Sequence, residues 1–252
     1  MEKHVAIAVV VRALPTGMLS LISCTFWAGC ASVGPGTRTE VTSRLDSSSP
    51  AEAVVARKPR VLLLGDSIRM NYEPLVRESL EGLAEVVSPA ENCQYSLYTL
   101  TSLQRWLDEL GTPDIVHWNN GLHDLGYNPD RLPKQIPIEL YLAHIETILN
   151  QLQDTGAQVI WATTTPPHPE FRFSEARWSW KIEDVDRYNA AALEIMRKYD
   201  VPVNDLNSIV ISAPERYISS DLIHLSQAGQ QKCAESTVKA ISAYLPKDTN
   251  QD

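Results

Sequence analysis

From Arg60 onward the chain alternates short apolar runs with longer segments of helical period. That alternation constrains the fold more than any other feature. RVLLLG (60–65), AEVVSP (84–89), PDIVHWN (113–119), AQVIWATTT (157–165) and VPVNDL (201–206) read as strands. Between them, YEPLVRESLEGL (72–83) repeats Leu75, Val76, Leu80 and Leu83 at helical spacing. SLYTLTSLQRWLDELG (96–111) repeats Leu100, Leu103, Leu107 and Leu110, and PIELYLAHIETILNQLQDTG (137–156) repeats Ile138, Leu142, Ile145, Leu149 and Leu152; both stop at a glycine. Residues 181–200 and 226–245 form two more helices, the last with Ser226 as its N-cap. A strand that is apolar at consecutive positions is buried on both faces, as in a parallel sheet between helical layers. The expectation is an α/β fold: a three-layer αβα sandwich around a doubly wound, five-stranded parallel sheet of flavodoxin-like order. Functional groups in such a sheet lie beyond the carboxyl ends of the strands.

The first 30 residues differ from this pattern. Lys3 and Arg12 flank a short apolar run, and ALPTGMLSLISCTFWAGC follows without a charge. A basic start, an apolar stretch and then small residues is the layout of an export signal. Leu21-Ile22-Ser23-Cys24 resembles the bacterial lipobox, in which the cysteine carries lipid, and Cys30 is the poorer second candidate. An uncleaved anchor is the alternative, although the run falls short of the roughly 20 residues of a full span and Pro15 interrupts it. Residues 31–58, rich in Ser, Thr, Gly, Pro and Ala, read as a flexible linker, 59–247 as the globular domain and 248–252 as a tail. The expected location is therefore extracytoplasmic: periplasmic, or tethered to a membrane only through the N-terminus.

With 22 basic and 31 acidic residues the chain carries a net charge of −9 and no basic run. That disfavours nucleic acid and anionic membrane surfaces as partners. Cys93 and Cys233 are left in the domain, too few and too far apart to establish a disulfide, although export permits one. Neither Cys-x-x-Cys nor His-x-x-x-His occurs, so no metal or other cofactor is expected.

The polar residues gather at the predicted strand ends. Gly65-Asp66-Ser67 follows the first strand, NNGLHDLG (119–126) the third and PPHPEFRFSEARWSW (166–180) the fourth; SSDLIHLS (219–226) precedes the last helix. Taken alone, Gly-Asp-Ser is a common turn and serine a common helix cap. A nucleophilic serine, however, needs a base, and the base needs an acid to hold its tautomer. Asp221-Leu222-Ile223-His224 supplies both on the same edge as Ser67.

These residues resemble the SGNH hydrolases, or GDSL-type esterases and lipases. Gly65-Asp66-Ser67 matches the family's first block, Gly121-Leu122-His123-Asp124 has the shape of its third, and Asp221-x-x-His224 matches its last. The resemblance spans about residues 59–245. It implies Ser67 as nucleophile, His224 as base and Asp221 as the acid behind it. It also implies an oxyanion hole of the Ser67 N–H, a backbone N–H from the 90–96 loop such as that of Gln94, and the side chain at 123. Two departures stand out. His123 occupies an asparagine's place, so either its ring N–H donates, or Asn119 or Asn120 does, or this part of the hole is lost; and the 90–96 loop lacks the second block's glycine. The Gly-x-Ser-x-Gly elbow of an α/β-hydrolase and the Gly-x-Gly-x-x-Gly of a dinucleotide fold are absent.

The implied reaction is hydrolysis of a carboxylic ester through an acyl-enzyme. Acetylated carbohydrate is the first substrate expected and a lysophospholipid or other lipid ester the second. A non-catalytic carbohydrate-binding or scaffold protein on the same fold is the alternative class. Asp66, Trp178 and Trp180 are the expected substrate contacts, the tryptophans as a sugar platform or an acyl lid unless they only pack their loop.

Overall fold

The computed structural model describes residues 57–246. The expected export signal and nearly all of the linker and tail lie outside the described residues. In chain order the elements are β1 (Arg60–Leu64), α1 (Ser67–Ser79), β2 (Glu85–Val87), α2 (Ser96–Leu110), β3 (Ile115–Trp118), α3 (Leu122–Leu125) and α4 (Ile138–Asp154). They continue with β4 (Gln158–Ala162), α5 (Ile182–Lys198), β5 (Val203–Asn204), α6 (Leu206–Ile211), α7 (Pro214–Tyr217) and α8 (Gln227–Ser242). The sheet is parallel throughout, with order β2-β1-β3-β4-β5. That is the doubly wound arrangement expected from the alternation of elements.

The unbroken apolar strands are explained by two cores. Leu62, Leu64, Val116, Trp118, Val159 and Trp161 face a layer built from α2, α4 and α5. The intervening residues, Val61, Leu63, Ile115, Ile160 and Ala162, face α1 and α8. Successive strand side chains point to opposite faces, so a strand covered on both sides is apolar at nearly every position; His117 in β3 is a buried exception, bonded to the Asn204 amide at 3.0 Å. Each fully buried aliphatic side chain contributes about 1.5–3 kcal/mol. No helix among the described residues is long and apolar enough to cross a membrane.

Three details depart from expectation. The first helix begins at Ser67, directly after β1, and ends at Ser79 rather than running from 72 to 83. Its inward face is Ile68, Tyr72 and Val76, a four-residue repeat that starts upstream of the leucine pattern; Leu83 lies outside the helix and is 55% exposed. Cys93 and Cys233 are free thiols. One belongs to each core, on opposite faces of the sheet, so no bridge joins them. Finally, the short helices α3, α6 and α7 were not anticipated; with 4, 6 and 4 residues they are too brief to show a hydrophobic period.

Candidate active site

Ser67 enters the site at the first residue of α1, where β1 ends. The cap of that helix is its neighbour: Asp66 Oδ1 accepts the Ile68 N–H at 2.9 Å. Ser67 therefore keeps its hydroxyl, and its own backbone N–H has no protein acceptor among the described residues. Asp66 is only 2% exposed; its Oδ1 is committed to the cap, while its Oδ2 is buried without a partner among the described residues.

The Asp221–His224 turn is reached after α6 and α7. It is closed by the Ile218–Leu225 bridge and by the Ser219 N–H, which donates to His224 O at 2.7 Å. Leu222, at φ 69°, takes the left-handed conformation that turns the chain back. Ser226 then caps α8 as expected, accepting the Gly229 N–H at 3.1 Å. This folding brings His224 Nε2 to 2.9 Å from Ser67 Oγ, across 157 residues, and His224 Nδ1 to 2.7 Å from Asp221 Oδ2. The other Asp221 oxygen accepts from the Ser219 hydroxyl and from the Ile223 and His224 N–H groups, at 2.7–3.0 Å. Partial burial pushes the Asp221 carboxyl up. The donors from Ile223, Ser219 and His224 outweigh it and hold the group well below the usual carboxylate range. Asp221 is thus ionised at every pH of interest, and His224 carries its proton on Nδ1 with Nε2 open to the Ser67 hydroxyl.

The α3 turn supplies the third side of the site. Gly121 opens it where a side chain would collide with β4's exit: a Cβ there would lie 2.1 Å from Thr164 Oγ1. The alternative donors Asn119 and Asn120 are committed elsewhere. The Asn119 amide donates to Ala162 O and Thr164 Oγ1, and the Asn120 amide to Gln94 O and Thr99 Oγ1. Gln94 is likewise spent, because its N–H donates to Asn92 Oδ1 at 2.7 Å in a tight turn at φ 52°. That bond removes the Gln94 N–H as an oxyanion donor; nothing in the sequence signals that Asn92 would claim it. His123 remains. Its ring makes no hydrogen bond within the described residues, and the charges of Asp66 and His224 both act on it. Burial lowers its pKa, so at neutral pH it is an uncharged imidazole with one N–H to donate.

Sequence reasoning missed the groups that hold His123. Arg131 donates to His123 O at 2.9 Å and Trp180 Nε1 donates to Leu122 O at 2.7 Å. Asp124, fully buried, accepts from the Ser96 N–H and hydroxyl at 2.6–3.0 Å, which ties α3 to the start of α2. Trp178 packs edge-on to the His123 ring, with centroids 4.8 Å apart, while Trp180 lies behind it at 5.1 Å. Of the two tryptophans expected to meet substrate, both half-buried, Trp178 adjoins His123 and Trp180 is tied through its Nε1 to Leu122 O. Gly126 makes room for both indoles, since a Cβ there would come within 2.7 Å of each Nε1.

Residues 63–232 match the GDSL-like lipase/acylhydrolase family, which is more than half of the chain. The chain belongs to that family. Its members are ester-bond hydrolases, and so is this protein. No curated protein matches the chain. Among solved structures, a lipase/acylhydrolase from Enterococcus faecalis superimposes with a TM-score of 0.62 at 19% identity, covering 75% of this chain and 97% of that one. An acetylxylan esterase from Geobacillus stearothermophilus, solved as a catalytic mutant, gives 0.59 at 17% identity, covering 73% and 94%. At these identities the likeness is one of fold.

Proposed function

We propose that this GDSL-like hydrolase removes small acyl groups, acetyl first, from carbohydrate esters through a Ser67 acyl-enzyme. The observation that carries the reading is the unbroken chain of hydrogen bonds from Ser67 through His224 to Asp221, at 2.9 and 2.7 Å. Ser67 Oγ attacks the ester carbonyl carbon while its proton passes to His224 Nε2. Asp221, fixed by its three other donors, stabilises the imidazolium. The negative charge on the carbonyl oxygen is met by the Ser67 N–H and the His123 ring N–H. As the tetrahedral intermediate collapses, the alcohol leaves with the proton from His224. Water then attacks the acyl-enzyme and gives its proton to His224. Release of the carboxylic acid returns a proton to Ser67 Oγ.

The carbohydrate half of the proposal is supported by Trp178, an aromatic face beside His123 of the kind on which a sugar ring stacks. Two structural neighbours are acetylxylan esterases, which fits this substrate without deciding it. On the pattern of residues 1–30 alone, we place the enzyme outside the cytoplasm. Turnover of p-nitrophenyl acetate by residues 31–252, compared with Ser67→Ala, tests the chemistry. Activity abolished by the substitution supports the reading, and equal turnover by both proteins rules it out.

A further inference from the structure

The loops beside His123 carry cations with no carboxylate to pair with. Elsewhere in this acidic chain basic side chains mostly find partners: Arg57, Arg60, Arg69, Arg77 and Arg105 all sit in ion pairs, as do Arg187, Arg197, Lys198 and Lys232. Arg131, Lys134, Arg172, Arg177 and Lys181 make no ion pair among the described residues, although Asp130, Glu170 and Glu175 share their loops.

These five residues are not scattered. The loops at 127–136 and 166–181 are joined by reciprocal backbone bonds between Tyr127 and Ser179, at 2.8 and 2.9 Å. Rings continue outward from the site: His123 to Trp178 at 4.8 Å, Trp178 to Trp180 at 5.1 Å, Trp180 to Phe171 at 5.7 Å. Arg177 lies over the Phe171 ring at 5.3 Å. A second pair, Tyr127 and Phe173, carries Lys134 over one ring at 5.4 Å and Lys181 over the other at 4.4 Å. An aromatic face orders each cation without neutralising it. The result is a local excess of positive charge beside the candidate oxyanion donor, five cations without an ion pair against the three carboxylates of Asp130, Glu170 and Glu175, on a protein whose net charge of −9 would otherwise repel an anion.

We propose that this cluster binds the alcohol half of the substrate and that the natural ester is carried on an anionic, carboxylate-bearing polysaccharide. The proposal rests on the esterase reading above and adds the charge of the substrate to it. Sugar rings lie along the aromatic residues, and the carboxylates of flanking residues in the chain meet Lys134, Arg177 and Lys181. A neutral acetylated sugar has the stacking contacts but not the charge contacts.

The test compares kcat/KM for O-acetylated polygalacturonate with that for O-acetylated neutral xylo-oligosaccharides, with p-nitrophenyl acetate as the common reference. The wild-type enzyme should prefer the anionic substrate, and the preference should shrink as salt is raised, since exposed charges are screened. In the triple variant Lys134→Gln, Arg177→Gln, Lys181→Gln the preference should fall by ~10-fold, about 2- to 3-fold per exposed charge. Lys239→Gln, which removes one positive charge at the far end of α8, should leave it intact, whereas each of the three single substitutions should lower it. A wild-type enzyme with no anionic preference, or a triple variant that keeps it, overturns the proposal while Ser67-dependent turnover of p-nitrophenyl acetate leaves the esterase reading standing. Loss of that reference activity from the wild type would overturn both.

Discussion

Asp66 Oδ1 accepts the N–H of Ile68 at 2.9 Å, so the helix carrying Ser67 is capped by the residue before it. The turn and the nucleophile are therefore different residues, and Ser67 Oγ is left to meet His224. Replacing Asp66 with alanine removes the cap and should lower stability by about 1 kcal/mol, within the usual range of roughly 0.5–2. Asp66→Asn, which can still accept from Ile68, should recover most of it. Urea denaturation of the two variants checks this.

Asp221 acts on Ser67 only through His224, and Asp221→Asn keeps an oxygen to accept from Ser219, Ile223 and His224, so that substitution should leave folding nearly untouched. In Asp221→Asn an amide N–H faces His224 Nδ1 and favours the tautomer with its proton on Nε2, where it cannot take the Ser67 proton. The expected loss in kcat is on the order of 10,000-fold, with KM little changed. A comparable loss in KM with kcat preserved would show that the turn serves binding instead.

His123 is the remaining side-chain donor at the site, because Asn119, Asn120 and the Gln94 N–H are committed elsewhere. His123→Ala should lower kcat by about 100- to 1000-fold, the usual loss for one oxyanion donor. His123→Asn, with an amide N–H in place of the ring N–H, should restore part of it. Unchanged steady-state kinetics in His123→Ala would remove this residue from the mechanism.

Asp124 gives a pH dependence whose sign follows from its burial. Burial pushes its carboxyl up to about 7 against the Ser96 hydrogen bonds, whereas an unfolded aspartate titrates near about 3.9. Between those values the folded protein holds a proton that the unfolded chain has released. This group's contribution to stability is therefore fully present below about pH 4 and is lost as pH rises through 7. Asp124→Asn keeps an acceptor for Ser96 and does not titrate. Urea midpoints measured from pH 5 to 8 should fall less steeply in the variant than in the wild type; parallel slopes would contradict the assignment.

How much of this could be read beforehand follows from what each part depends on. The sheet was legible because its central strands are runs of mostly apolar residues, the pattern of a parallel sheet buried on both faces. Ser67, Asp221 and His224 were legible because a doubly wound sheet brings its strand exits to one edge. The start of α1 was not, since Ser67 and Asn71 interrupt the apolar period and only Ile68, Tyr72 and Val76 face the core. The oxyanion side was the least legible. Whether a backbone N–H is free depends on local competitors such as Asn92, and the placing of His123 depends on Arg131 in the next loop and on Trp180 and Ser96, both distant in sequence. The row of unpaired cations was equally hidden, because only the fold shows which charges have partners.

The central claim is that Ser67 is a nucleophile activated by His224. Reaction with a fluorophosphonate followed by peptide mass spectrometry tests it most directly. The account predicts one phosphonyl group per chain, on the peptide containing Ser67, with labelling lost in both Ser67→Ala and His224→Ala. An unlabelled wild-type enzyme, or a label on any other residue, would contradict it.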